Sequence, residues 1–154
     1  MSKSEASLNS RSLRDFRHSL PMELLKAREA AMARFRPMLR TFGLTEQQWR
    51  VLRALSEFDA LDASELAKRS FLLAPSLTRI LQHLEAKSLL RRSYDDNDQR
   101  RLVVEITAAG RRLFEQVAPE SEQLYSGIEE EFGSERLERM YELLADFYEV
   151  LGTN

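Results

Sequence analysis

Ser76, Thr78, Arg79, Gln82, His83 and Lys87 interleave with Leu77, Leu81 and Leu84 at helical spacing. One face of such a helix is apolar, and the other carries hydrogen-bond donors and acceptors. Serine, threonine, arginine and glutamine are side chains that bond to base edges and phosphate oxygens. Further along, Arg100 and Arg101 follow a polar turn cluster, Asp95-Asp96-Asn97-Asp98. An arginine at such a hairpin tip suits a narrow A·T minor groove. Arg91 and Arg92, at the start of the same hairpin, are placed to reach backbone phosphates. Ser64, at the start of a preceding short helix, joins this set of DNA-contact candidates. An Asp98–Arg100 pair two residues apart also reads as a stiffener of the hairpin, and the spacing does not choose between Arg100 and Arg101 for the groove.

Other chemistry finds few residues to carry it. The 154 residues contain no cysteine, which excludes a disulfide scaffold, a thiolate metal site, a cysteine nucleophile and thiol-based peroxide sensing. There are two histidines, His18 and His83, and no HExxH pair, so no catalytic zinc is expected. Neither a nucleophile–base pair nor a glycine-rich phosphate loop is present. The expectation is a protein that is not an enzyme and has no cofactor. No apolar run approaches the roughly 18–20 residues of a membrane span, and Met1 to Asn9 lacks a signal-peptide core. A cytoplasmic protein of a reducing compartment is expected.

The formal net charge of −2 disfavours nucleic acid only when taken whole. Residues 1–56 hold 11 basic against 5 acidic side chains, residues 57–101 hold 8 against 8, and residues 102–154 hold 4 against 12. A basic first third, a neutral centre with arginines on the reading elements and an acidic tail place one surface against an anion and the tail elsewhere.

The elements that must position these residues follow from pattern and punctuation. A helix is expected from Leu20 to Arg40, with Pro21 in its first turn, Pro37 kinking or shortening it near residue 36, and Gly43 ending it. Thr45-Glu46-Gln47-Gln48 is a capping box that starts a second helix carrying Trp49, Leu52, Leu55 and Phe58. A short helix over Ala63–Arg69, capped by Asp62 or Ser64, precedes the helix that starts near Pro75 and runs to about Lys87. Leu89–Tyr94 and Arg101–Ile106 alternate as two strands of a hairpin. Thr107 caps a long helix over about 108–131, in which Gly110 is tolerated, and Ser134 caps a last one over 135–151. The order α-α-α-α-β-β-α-α gives a mainly α fold with a small β-hairpin wing, a winged helix-turn-helix. In such a unit the second helix lies in the major groove. A winged-helix module that docks on protein and never touches DNA is the competing reading; it predicts no salt-dependent binding to duplex DNA.

Three stretches carry a family resemblance. Leu44-Thr45-Glu46-Gln47-Gln48-Trp49-Arg50-Val51-Leu52 resembles the second-helix motif of the multiple-antibiotic-resistance regulator (MarR) family. Ser76-Leu77-Thr78-Arg79-Ile80-Leu81-Gln82-His83-Leu84-Glu85 resembles its recognition helix. Asp95 to Arg100, with Val104 to Gly110, resembles its wing signature D-x-R-D-x-R-x-x-x-V-x-L-T-x-x-G, except that Asn97 stands where the family has its first arginine. Ser19 to Glu29, running into Phe35-Arg36-Pro37, is similar to regulators of homoprotocatechuate (4-hydroxyphenylacetate) degradation operons. The resemblance implies a repressor of aromatic catabolism, or of another aromatic or efflux operon, released from DNA by a small aromatic carboxylic acid.

It also implies a homodimer formed by the first helix and the last two, reading an inverted-repeat operator. The final helix agrees, since Leu144, Phe147, Tyr148, Val150 and Leu151 make more apolar surface than a lone terminal helix exposes. Residues 1–12 then form a flexible arm and residues 13–154 one domain, with a DNA-binding lobe over 44–107 and dimerisation helices over 13–43 and 108–154. In this fold an aromatic acid, which needs a cation or donors and an apolar slot, sits between the dimerisation helices and the lobe. The candidates there are Arg17, His18, Ser19, Met22 and Arg28, with Trp49 and Arg53 from the second helix. Trp49 at helical spacing also reads as an ordinary core residue.

Overall fold

The computed structural model describes residues 14–152, so the arm expected over 1–12 lies outside the described residues. They fall into two units that divide between Phe35 and Arg36, inside the first helix. In the first unit a 3₁₀ turn, Phe16–His18, is held by Asp15, whose side chain accepts from the Arg17 backbone N–H. Helix α1, Leu20–Thr41, follows, with Leu20, Leu24 and Leu25 exposed in a row. It spans the expected length and runs on through Pro37 to Thr41, so the proline does not shorten it. Proline there removes one N–H from the ladder without ending it.

The second unit holds the remaining elements: α2 (Glu46–Phe58), β1 (Ala60–Asp62), α3 (Ala63–Ser70), α4 (Ala74–Ala86), β2 (Leu90–Tyr94), β3 (Leu102–Ile106), α5 (Ala108–Phe132) and α6 (Ser134–Leu151). The capping box forms as expected: Thr45 accepts from the Gln48 N–H at 3.1 Å and Gln48 accepts from the Thr45 N–H at 3.2 Å. Asp62, not Ser64, caps α3. Before α6 the capping position belongs to Gly133 at φ 101°, and Ser134 is already inside the helix, so no side-chain cap forms there.

Strand β1 is an addition to the expected hairpin. It pairs antiparallel with β3 (Ala60 opposite Glu105, Asp62 opposite Val103), and β2 pairs with the other edge of β3, giving the order β1-β3-β2. Three residues are too few to show a period of two, so the pairing rests on the tertiary context. The three-stranded sheet closes over a core of Leu52, Leu55, Leu66, Leu81, Leu84, Leu90 and Val104, all essentially inaccessible. The apolar face of α4 is therefore committed to the interior by Leu77, Leu81 and Leu84, and its polar face is committed to solvent.

One glycine is demanded by close approach. A Cβ on Gly110 would overlap the carbonyl oxygen of Leu89 and lie 2.8 Å from Ile106 Cγ1, in the first turn of α5 beneath the wing. Helix propensity favours alanine by about 1 kcal/mol. Overlap with backbone that cannot swing aside costs about 1–3 kcal/mol and wins. Gly110→Ala is expected to lower the thermal unfolding midpoint by a few degrees, on the order of 2–4 °C per kcal/mol. A midpoint equal to or above wild type would show that the wing yields at this point.

Candidate nucleic-acid interface

The helix–turn–helix is α3, a turn at Phe71–Leu73, and α4. Phe71 closes α3 in the left-handed region (φ 51°), its N–H returning to Ala67 and Lys68 carbonyls. Arg50, from α2, donates from Nη1 to the carbonyls of Ser70 at 2.9 Å and Phe71 at 3.4 Å. A guanidinium at a helix C-terminus meets the negative end of the helix dipole, so Arg50 ties α2 to the end of α3 where the chain turns toward α4. Sequence reading did not find this role, because the partner carbonyls are some twenty residues away and carry no side-chain signature.

Along α4, Ser76, Thr78, Arg79 and Gln82 are all exposed. Among the described residues Arg79 and Gln82 have no ion-pair or hydrogen-bond partner, whereas Thr78 Oγ1 donates to the Ala74 carbonyl at 3.1 Å. The capping position, Leu73, offers no side-chain bond, and Pro75 occupies the first turn. The remaining N–H groups of that turn stay open to an anionic oxygen.

The wing sorts its four arginines. Arg100 extends from the tip with its side chain 94% exposed, and its N–H and Nε both donate to Asp98 Oδ1, at 3.1 and 3.4 Å. Arg101 points back to Asp62, with Nε 3.3 Å from Oδ2, while Asp62 Oδ1 caps α3 by accepting from the Glu65 N–H at 2.8 Å. One carboxylate thus starts the helix and fastens the wing beside its tip turn. Arg91 lies 3.4 Å from Glu105 on the neighbouring strand, with both side chains more than half exposed. Arg92 is half-buried and bonded to Glu85 of α4. That bond holds the Glu85 carboxyl below its ordinary range and pushes the Arg92 guanidinium up from its own. Ser64, Arg100 and Arg101 are brought together, lining a cleft of about 310 Å³ between the start of α3 and the wing.

The effector candidates divide between the units. Arg17, His18, Ser19, Met22 and Arg28 belong to the first, where Arg17 lies 3.5 Å from Asp15 and Arg28 lies 3.4 Å from Glu29. In the second, Trp49 is only 7% exposed and stacks on Phe114 of α5 at 5.3 Å between ring centroids, so it is a core residue. Arg53, one turn along α2, is exposed and lines an open cleft of about 420 Å³ with Arg50, Glu57, Phe58 and Arg69. The sequence marked Phe58 only as part of the apolar face of α2 and did not mark Arg69, whose guanidinium sits 4.1 Å above the Phe58 ring.

A recognition helix with an uncovered polar face, beside a wing tipped by an exposed arginine, defines a winged-helix transcriptional regulator. No helix among the described residues is long and apolar enough to cross a membrane. The chain belongs to the MarR family, whose model matches residues 44–102. It is 40% identical over 132 residues to the HTH-type transcriptional regulator FarR of Neisseria gonorrhoeae, covering 86% of this chain and 90% of that one. It is 42% identical over 129 residues to the homoprotocatechuate degradative operon repressor of Escherichia coli, covering 84% and 87%. The crystal structure of NadR in complex with 4-hydroxyphenylacetate is similar with a TM-score of 0.74 and 40% identity, covering 88% of this chain and 96% of that one.

Proposed function

We propose that the protein is a cytoplasmic, homodimeric repressor without catalytic activity, which binds an inverted-repeat operator and leaves it when an aromatic acid binds. The observation that carries this reading is the uncovered row of Ser76, Thr78, Arg79 and Gln82 on α4, set beside Arg100 at the wing tip. Residues 44–107 form the DNA-binding lobe, and residues 13–43 with 108–154 form the dimerisation helices. Arg100 enters the minor groove, since it stands out from the tip with its side chain 94% exposed, whereas Arg101 turns back to Asp62. The apolar row exposed on α6 supports a second copy as partner.

The effector class is supported by similarity to the homoprotocatechuate operon repressor and to NadR, whose crystal structure holds 4-hydroxyphenylacetate. For the carboxylate the first unit offers Arg17 and Arg28, with His18, Ser19 and Met22 beside them in sequence, and the second unit, taken by itself, offers the exposed Arg53, Trp49 being taken up by the core. Release follows if the acid binds better to a form whose two recognition helices are wrongly spaced for DNA; equal affinity for both forms produces no induction. Gel retardation of a fragment from upstream of an aromatic-acid degradation operon tests both steps. Retardation is expected to weaken with salt and to be lost as 4-hydroxyphenylacetate is titrated. Retardation that does not change with the acid rejects the induction step, and absence of salt-dependent binding rejects the DNA reading in favour of a protein-docking module.

A further inference from the structure

Glu85 stands near the end of α4 and uses both carboxylate oxygens on one residue of the wing. Oε2 accepts from the backbone N–H of Arg92 at 3.0 Å, and Oε1 accepts from Arg92 Nε at 3.3 Å and Nη2 at 2.9 Å. Arg92 lies on β2, an edge strand, opposite Val104 of β3. Its N–H points away from the ladder and would otherwise be free. The carboxylate therefore occupies the outward N–H of the edge and chelates the guanidinium of the same residue. It joins the helix that carries Arg79 to the strand that leads to Arg100.

We propose that Glu85 and Arg92 are positioning residues that hold the recognition helix and the wing as one rigid reading head, and that Arg92 is not a phosphate ligand. This rests on the DNA-binding reading of α4 and the wing. The two elements enter different grooves, so their separation must match the DNA before either contact forms. A flexible joint would have to be ordered on binding, at a cost in affinity. Arg91 and Arg92 are neighbours with the same side chain, yet the guanidinium of Arg92 is directed inward to a carboxylate on α4, whereas that of Arg91 lies more exposed across the sheet from Glu105.

The two roles predict opposite signs. Glu85→Gln removes a negative charge from a surface that faces a polyanion, so long-range electrostatics alone would tighten binding. Loss of the clamp weakens it. Operator affinity measured by fluorescence anisotropy across a salt series, for wild type, Glu85→Gln, Arg92→Lys and the Glu85→Gln/Arg92→Gln pair, separates them. The clamp predicts that Glu85→Gln and Arg92→Lys each weaken binding about threefold to fivefold, with an unchanged salt slope. The double variant should be no weaker than either single one, as expected for residues that act as a unit. Hydroxyl-radical protection at the wing's minor-groove contact should fade while major-groove protection by α4 persists, a pattern that general destabilisation would not give. Arg92→Lys keeps the charge but cannot chelate, and it carries the test alone if Glu85→Gln does not fold. Binding by Glu85→Gln as tight as wild type or tighter overturns the proposal. So does a Glu85→Gln/Arg92→Gln pair whose salt slope falls by about 0.9 per half-site, the mark of a lost phosphate contact. A wild-type protein that binds no duplex DNA would instead reject the reading on which the proposal rests.

Discussion

Phe147→Glu is expected to turn the protein into a monomer and to weaken operator binding by about a hundredfold or more, as avidity between two linked half-sites is worth about 10²–10⁴. On α6 only Leu137 is buried, while Met140, Leu144, Phe147, Tyr148 and Leu151 form an exposed row at three- and four-residue spacing. Burial of a side chain of this kind is worth roughly 1.5–3 kcal/mol. A row of five, repeated by symmetry, suffices to hold a dimer against the cost of association. Such a contiguous apolar face is larger than a monomer normally leaves in water. Glutamate at Phe147 places one charge per subunit in that face without touching the core of the DNA-binding lobe, so helix content and salt-dependent nonspecific binding should survive. Sedimentation equilibrium gives the mass and anisotropy gives the affinity. A variant that remains dimeric with wild-type affinity would move the interface away from α6.

Local signals made the fold legible. The capping box at Thr45, the Asp62 cap, Pro75 at a helix start and the leucine spacing of α4 each state a helix and its buried face within a few residues. The wing announced itself through the Asp95–Arg100 turn between alternating strands. What stayed hidden depended on partners distant in sequence. Strand β1 is three residues whose only reason to be a strand is the free edge of β3. Arg50 meets carbonyls, which every residue possesses, so nothing in its neighbourhood advertises the contact. The arginines of the wing were the hardest to tell apart. Arg91, Arg92, Arg100 and Arg101 have the same chemistry and sit on the same hairpin, and helical or strand period says only that they are near the surface. Their partners, Glu105, Glu85, Asp98 and Asp62, decide which cation stays available, and those pairings appear only when the sheet is laid against α3 and α4. Trp49 shows the reverse problem: its spacing fitted both a core residue and a ligand wall, and the stacked Phe114 ring places it in the core.

Arg79→Ala is expected to reduce affinity for the operator by at least about thirtyfold while leaving nonspecific binding nearly unchanged. Arg79 lies in the first half of α4, the part of a recognition helix that meets base edges. It is exposed, and among the described residues it has no ion-pair or hydrogen-bond partner, so DNA gains its guanidinium without breaking an existing pair. A bidentate contact to guanine discriminates by about 1–3 kcal/mol. A symmetric dimer loses it twice, giving about 2–6 kcal/mol in all, and the lower bound is the thirtyfold quoted. The salt dependence separates this from a phosphate role. Loss of a base contact relaxes preference at one position in each half-site and leaves the slope in place, whereas loss of a phosphate contact weakens all sequences alike and lowers the slope by about one unit. Arg91→Ala is the control, because Arg91 lies on the sheet away from α4 and is already paired with Glu105: a modest, sequence-independent loss is expected there. If Arg79→Ala weakened operator and random duplex equally, with a reduced slope, α4 would be gripping the backbone, and specificity would have to come from the wing or from deformation of the DNA.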